Sequence, residues 1–399
     1  MTPTTAAGWV LIALAGVYAA QVTAWAAGLH RALRRSPPEP PVWPTVTVIV
    51  PARDEAAHIE ACLASLLASD YPAGRAEIIV VDDFSRDDTA GRVRDVQRAI
   101  GSDTGGGDVL RLVCLADHLD DEDKGHKGAA LAWGLREATG SVLLTTDADC
   151  IVTPGWMRGM VAALGTRAGI VAGAVRMDPS GAGVFGALQA LEFAGLVGIG
   201  GGALGLNAPF MCNSASLAYP RRLFEALGVT RSGASALPER VTPWDDELLL
   251  LRVAADPTLH ATFCPSSGAV VTARPERSVG AFWMQRRRWA SLGTRYPGLW
   301  RGTIIRVVWL FFAALLASLA ALVVWPHLWP FVAAAFGVKI VAETLLLARV
   351  LRHVGQMRLL AWHVPAQLGH LGYVVAMGVV AVMGAPSWKG RTFEPAEAA

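Results

Sequence analysis

The sequence predicts an α/β domain with a doubly wound sheet, joined to a set of transmembrane α-helices. Three observations predict it. Apolar strand-like runs alternate with helix-like stretches through residues 45–146, at the spacing of repeated βα units. Hydrophobic residues make up 53% of the 399-residue chain and charged residues 17%, with a mean hydropathy of +0.39. That balance is too apolar for an ordinary cytosolic enzyme. Long apolar runs of span length flank the alternating region on both sides. The formal charge of +2 gives no sign of a nucleic-acid partner, and the positive residues cluster beside apolar runs, at 30–35, 286–288 and 349–358. Cys62, Cys114, Cys150, Cys212 and Cys264 form no CxxC pair and no metal spacing. They read as reduced structural thiols facing a cytosol.

In chain order, residues 8–29 are apolar over about the 20 residues a span needs. They lack a basic n-region, so the run reads as a retained anchor rather than a cleaved signal. His30, Arg31, Arg34 and Arg35 follow and mark a cytoplasmic flank. Residues 36–44, SPPEPPVWP, form a stiff proline-rich linker. Strands are then expected at 46–50, 77–81, 109–115 and 142–146, with helices at 55–68, 87–100 and 128–138 between them. Residues 184–206 read as a helix plus a Gly-rich loop inside the α/β domain, touching the membrane surface. Residues 207–216, NAPFMCNSAS, read as an irregular pocket wall. Trp244, Asp245, Asp246 and Glu247 open a helix, where acids complement the macrodipole and capping alone would account for them.

Residues 278–300 interleave Phe282, Trp283, Trp289, Tyr296 and Trp300 with arginines, as in a helix lying in a membrane interface. Runs at 304–325 and 328–347 form a hairpin about the WPHLWP turn, and 364–384 is a further run. Lys339 and Glu343 stand one turn apart inside an apolar run and read as a pair that neutralises itself.

The strand ends carry the chemistry. The first is followed by Arg53, Asp54 and Glu55, the second by Asp82 and Asp83, and the fourth by Asp147 and Asp149. In an open α/β sheet these ends line the ligand-binding edge. Asp147-Ala148-Asp149 alone reads first as a strand-to-loop turn with two solvated acids. Three acidic strand ends on one edge instead suit a hard divalent cation and the diphosphate it would carry.

The runs VTVIVPARDEAAHIEACLASLL, IIVVDDFSRDDT, KGAALAWGL, LLTTDADC, WDDELLL and QRRRW, in this order, resemble membrane-bound glycosyltransferase family 2 with a GT-A fold. The resemblance covers residues 46–289. It implies that Ala52, Arg53, Glu55 and Asp83 line a uridine or related pocket and that Lys127 sits near the diphosphate. It further implies that Asp147 and Asp149 bind Mg²⁺ or Mn²⁺ and that Asp246 is the general base. Gln285, Arg288 and Trp289 match QxxRW, which in the family closes over the nucleotide and the acceptor end. Departures are Asp54 in place of the commoner Asn, Ala132 where Asn is frequent, and Trp244-Asp245 in place of Thr-Glu.

The expected organisation is an anchor at 1–35, a linker at 36–44 and a cytoplasmic GT-A domain at 45–277. An interface helix at 278–302, about three spans within 303–388 and a tail at 389–399 follow. The expected activity is an inverting, metal-dependent hexosyl transfer from a nucleotide-sugar, a UDP-sugar first, to a hydroxyl of a membrane lipid. The expected setting is a bacterial-type inner membrane. A processive polysaccharide synthase and a non-catalytic sugar-nucleotide-binding scaffold are the rival readings. Retention of Asp149 and Asp246 counts against the scaffold.

Overall fold

The computed structural model describes residues 3–104, 109–119, 127–165, 168–226, 245–293, 299–381, 387–388 and 391–392. The chain forms two compact units, Gly28–Asp178 with Gly200–Arg274, and Met1–Ala27 with Pro179–Ile199 and Pro275–Ala399.

Helix α1 (Pro3–Leu33) precedes strand β1 (Val46–Ala52), α2 (Ile59–Leu67), β2 (Ala76–Asp82), α3 (Thr89–Thr104), β3 (Leu110–Cys114), α4 (Lys127–Glu137) and β4 (Val142–Thr145). Val46, Val48, Ile49 and Val50 of β1 are all 1% exposed or less. This continuous burial is what a strand covered by helices on both faces requires. The chain continues through β5 (Ile151–Val152), α5 (Trp156–Leu164), β6 (Ala168–Ala172), β7 (Ala174–Met177) and α6 (Gly183–Gly205). Then follow β8 (Leu217–Pro220), α7 (Arg221–Ala226), α8 (Asp245–Ala255), β9 (His260–Phe263) and β10 (Val270–Ala273).

The main sheet has the order β3-β2-β1-β4-β8-β6-β9. β3, β2, β1 and β4 are parallel, as the βα repeat predicts. Beyond β4 the sheet is mixed, because β8 runs antiparallel to both β4 and β6. The irregular segment before β8 lies at the C-terminal edge of β4, where Thr145 Oγ1 donates to the Ser214 carbonyl at 3.2 Å. A strand entering the sheet from that edge runs back down it. A second small sheet, β5-β10-β7, completes this unit.

The other unit holds α9 (Val279–Gly293), α10 (Leu299–Ala321), α11 (Trp329–His353), α12 (His363–Val380) and the short strands β11 (Ser387–Trp388) and β12 (Arg391–Thr392). Its interior combines aromatic packing with one polar cluster. Tyr18 stacks on Phe311 at 4.7 Å and donates to Glu343 Oε1 at 2.5 Å. Lys339 Nζ lies 2.8 Å from Glu343, and Gln367 Nε2 donates to Glu343 Oε2 at 2.9 Å. The self-neutralising pair expected from sequence is therefore present, with Tyr18 and Gln367 filling its remaining hydrogen-bonding positions.

One expectation changes. Residues 184–206 are not a helix followed by a Gly-rich loop, because α6 continues unbroken to Gly205. Gly205 sits where two backbones meet: a Cβ on it would lie 1.9 Å from the Gly28 carbonyl oxygen. Four helices among the described residues are long and apolar enough to cross a membrane: Pro3–Leu33, Gly183–Gly205, Gly302–Ala321 and Pro326–His353. α6 is thus among them and α12 is not, since His363, Gln367 and His370 dilute the apolarity of α12.

Candidate functional site

The register of the parallel strands builds the site. Ala52 pairs with Asp82, and Ile49 with Thr145, so the residues following β1, β2 and β4 emerge together at one sheet edge. Arg53 follows β1 and is 3% exposed. Its Nη1 donates to the Asp83 carbonyl at 2.8 Å and lies 3.9 Å from the Asp83 carboxylate. Asp83 N in turn donates to the Ala52 carbonyl at 2.8 Å. Ala52, Arg53 and Asp83 therefore form one buried brace across two strand ends.

Asp54 has φ +51°. Its N–H donates to Ser85 Oγ at 3.0 Å, and its Oδ1 accepts from the Arg86 N–H at 2.7 Å. Asp and Asn are the side-chain-bearing residues that most readily hold left-handed backbone, so Asp54 suits this turn. Glu55 N donates to Thr89 Oγ1 at 2.8 Å, and its carboxylate lies 3.0 Å from His58 Nδ1.

The first residue of α4 closes the site from the other side. Lys127 Nζ donates to Asp147 Oδ1 at 2.5 Å and to Ser214 Oγ at 2.8 Å. Burial, then the neighbouring Asp147 and Glu55 carboxylates, push Asp149 up to about 6. Ligand atoms of Asp147, Asp149 and Cys150 lie within 4.8 Å of one another. The two carboxylates suit Mg²⁺ or Mn²⁺. Cys150 does not, because burial, then Asp149 and Asp147, hold its thiol well above the ordinary value and keep it protonated. A divalent cation on Asp147 and Asp149 fits this donor set.

Of the other residues expected from sequence, Asp246 lies in the first turn of α8, in the same unit. Trp244 lies outside the described residues. Gln285, Arg288 and Trp289 lie on α9 in the second unit. There, Gln285 Nε2 donates to Glu276 Oε1 at 2.8 Å, and the Trp289 ring centroid is 5.9 Å from that of Phe193.

Two groups at the edge were not singled out by sequence reasoning. Ser214 is invisible to motif logic, although it falls in the segment read as a pocket wall. Asp82 was noted only as a strand-end acid. Its Oδ2 accepts from Ser85 N at 3.3 Å, while its buried Oδ1 has no hydrogen-bond partner among the described residues. Burial first, with Asp87 and Asp54 contributing, raises its carboxyl above the usual range against the hydrogen bonds from Ser85.

A sheet edge gathering carboxylates, a lysine and a buried arginine lies where open α/β sheets bind their ligands. Residues 47–227 match the family model described as Glycosyl transferase family 2. Glycosyltransferase AglE of Haloferax volcanii is 31% identical over 140 residues, covering 35% of this chain and 42% of that protein. An N-acetylglucosaminyltransferase of Mesorhizobium japonicum is 32% identical over 119 residues, covering 30% of this chain and 25% of that protein. The matched stretches thus span less than half the length of these curated relatives. The solved mannosyltransferase PcManGT from Pyrobaculum calidifontis, in complex with GDP-Man and Mn²⁺, shares the fold at a TM-score of 0.54 and 22% identity. The match covers 94% of this chain and 96% of that one. The GT-A fold expected from the motif order is therefore the fold of this chain.

Proposed function

We propose that the protein is an inverting, metal-dependent hexosyltransferase that moves a sugar from a nucleotide-sugar to a hydroxyl of a membrane lipid. The observation that carries the reading is the grouping of Lys127, Asp147 and Asp149 at the sheet edge, beside the Arg53–Asp83 brace. Carboxylates accept hydrogen bonds from ribose hydroxyls and from a base N–H, so Glu55 and Asp83 face the nucleoside, with Ala52 and Arg53 shaping that end. Lys127 holds the diphosphate, with Asp147 orienting its ammonium group. Asp149, with Asp147, holds Mg²⁺ or Mn²⁺, which supplies charge neutralisation for the departing nucleoside diphosphate. Asp246 takes the proton from the acceptor hydroxyl as its oxygen bonds to the anomeric carbon and the bond from that carbon to the diphosphate oxygen breaks. A single displacement inverts the anomeric centre and needs no covalent nucleophile. Gln285, Arg288 and Trp289 match QxxRW, the motif that in the family serves the nucleotide and the acceptor end.

The four apolar helices support a lipid acceptor and an integral membrane protein. The basic residues after α1 support a cytoplasmic α/β domain at 45–277. The GDP-Man and Mn²⁺ bound to the mannosyltransferase of like fold support testing GDP- as well as UDP-sugars and Mn²⁺ as well as Mg²⁺.

The test is to incubate purified protein with UDP- and GDP-hexoses, each metal and a total lipid extract, and to read products by mass. One added hexose on a lipid is the expected result. A ladder of hexose additions would replace this reading with the polysaccharide synthase, and donor binding without any product would leave only the scaffold.

A further inference from the structure

Helix α6 is apolar along its length except for Gln189 and Glu192, and the membrane-span reading gives neither residue a purpose. Both are engaged with the segment that begins α9. Gln189 Nε2 donates to the Glu276 carbonyl at 3.0 Å, and Glu276 N donates back to Gln189 Oε1 at 2.9 Å. One turn further along, Glu192 meets Arg286, whose side chain is 2% exposed. Arg286 Nη2 and Nε donate to Glu192 Oε2 at 2.6 and 3.1 Å, and Nε lies 3.3 Å from Oε1. Tyr373 of α12 donates to the same Oε1 at 3.2 Å.

Arg286 sits in the QRRRW run but is not one of its family-matching positions. Its guanidinium nevertheless touches two of them. Its Cζ lies 4.2 Å from the Trp289 ring centroid and 4.6 Å from that of Phe282. Nη1 donates to Gln285 Oε1, while Gln285 Nε2 is held by Glu276. The Gln285 amide is thus held at its oxygen by Arg286 and at its nitrogen by Glu276, and the Trp289 ring packs against the same buried arginine. A buried ion pair adds little stability over well-packed apolar residues, whereas it can specify one arrangement. The planar fork of Arg, which pairs with a carboxylate and stacks on rings at once, suits that purpose better than Lys.

We propose that Glu192 and Arg286, with Tyr373, form a clamp that sets the orientation of the Gln285–Trp289 face of α9, making both of them positioning residues for sugar transfer. The inference rests on the role proposed above for Gln285, Arg288 and Trp289.

The test compares kcat/KM for the nucleotide-sugar in the full-length, detergent-purified protein and three variants: Glu192→Leu with Arg286→Met, Trp289→Ala, and all three substitutions together. Removing both charges leaves no unpaired ion inside the protein, so the double variant is expected to keep its monodispersity and thermal midpoint. Its kcat/KM should fall about 10- to 100-fold, the scale of a misplaced contact group. The same pair of substitutions should cost less once Trp289 is already Ala than in the wild type, because interacting residues are not additive. Should the double variant fail to fold, Glu192→Gln, which keeps shape and acceptor, is read in the same two backgrounds. Undiminished turnover in a folded clamp variant, or an equal loss in both backgrounds, overturns the clamp. A wild-type protein that transfers no sugar from any donor overturns the function on which the clamp rests, and that control separates the two failures.

Discussion

Lys127 Nζ lies 2.5 Å from Asp147 Oδ1, joining the first turn of α4 to the end of β4. The contact bridges 20 positions of sequence and places a cation beside the residues assigned to the diphosphate and metal. Charge-assisted hydrogen bonds of this kind contribute about 1.5–3 kcal/mol. Lys127→Met should therefore weaken nucleotide-sugar binding about 10- to 100-fold by this estimate, with the fold intact. Calorimetric titration with the nucleoside diphosphate checks it, and wild-type affinity would remove Lys127 from the diphosphate site.

Metal removal should act at the same place. Chelation with EDTA should abolish turnover, and Mn²⁺ or Mg²⁺ should restore it. Asp149→Ala should lose the metal-dependent part of nucleotide binding, since one of two hard oxygen donors is gone. Nucleotide affinity that is metal-independent in the wild type, or metal-dependent in Asp149→Ala, would contradict the assignment.

Asp246→Asn keeps size and polarity while removing the base. Loss of general-base catalysis is worth about 10²- to 10⁴-fold, so kcat should fall by that order while nucleoside diphosphate affinity stays within about twofold, because binding and proton transfer are separate steps. Turnover equal to wild type would dismiss Asp246 as the base.

At the opposite edge of the sheet, Glu77 sets a pH dependence of stability. Burial raises its carboxyl, but hydrogen bonds from Thr47 at 2.5 Å and from the Thr139 N–H and hydroxyl at 2.6 and 2.7 Å outweigh it. With the Arg111 guanidinium 3.2 Å away, they hold it below the usual carboxylate value. A depressed folded value contributes stability that is complete above the unfolded pKa of about 4.3 and vanishes as pH falls through the folded value. The stability gap between wild type and Glu77→Gln, measured by denaturant unfolding, should be widest near neutral pH and close below about pH 4. A gap that is constant with pH would show that the carboxylate charge is immaterial.

Backbone proximity of α1 and α6 within the α/β unit gives a purely steric prediction. A Cβ on Gly28 would lie 2.2 Å from the Gly202 carbonyl oxygen, whereas one on Gly16 would meet nothing within 4 Å. Gly28→Ala should lower the thermal midpoint by several degrees, the scale of about 1–3 kcal/mol of overpacking, and Gly16→Ala should not. Equal midpoints would mean that the helices separate without cost.

How much was legible in the sequence differs by scale. The alternation of strands and helices from residue 46 to 146, and the acidic ends of β1, β2 and β4, followed from burial periodicity. Each strand carries its own apolar signature, and each helix its own repeat. The motif order carried the family. Ser214 and the Glu192–Arg286 pair were not legible, because a single serine or glutamate has no periodicity and its partner lies 87 or 94 positions away. The continuation of α6 through its glycines was misread for a related reason. Glycine disfavours an isolated helix, and only the close approach of another backbone offsets that preference.

By itself, the sequence determined the α/β alternation, the apolar helices and the residues placed at the strand ends, since these depend on local patterns of burial and charge. Tertiary structure alone decided that β8 runs antiparallel between β4 and β6, that Lys127 binds both Asp147 and Ser214, and that Arg286 is held between Glu192 and Trp289. The physical reason is that such contacts pair chemically complementary groups from distant segments. Their geometry exists only once the sheet and the helices have packed.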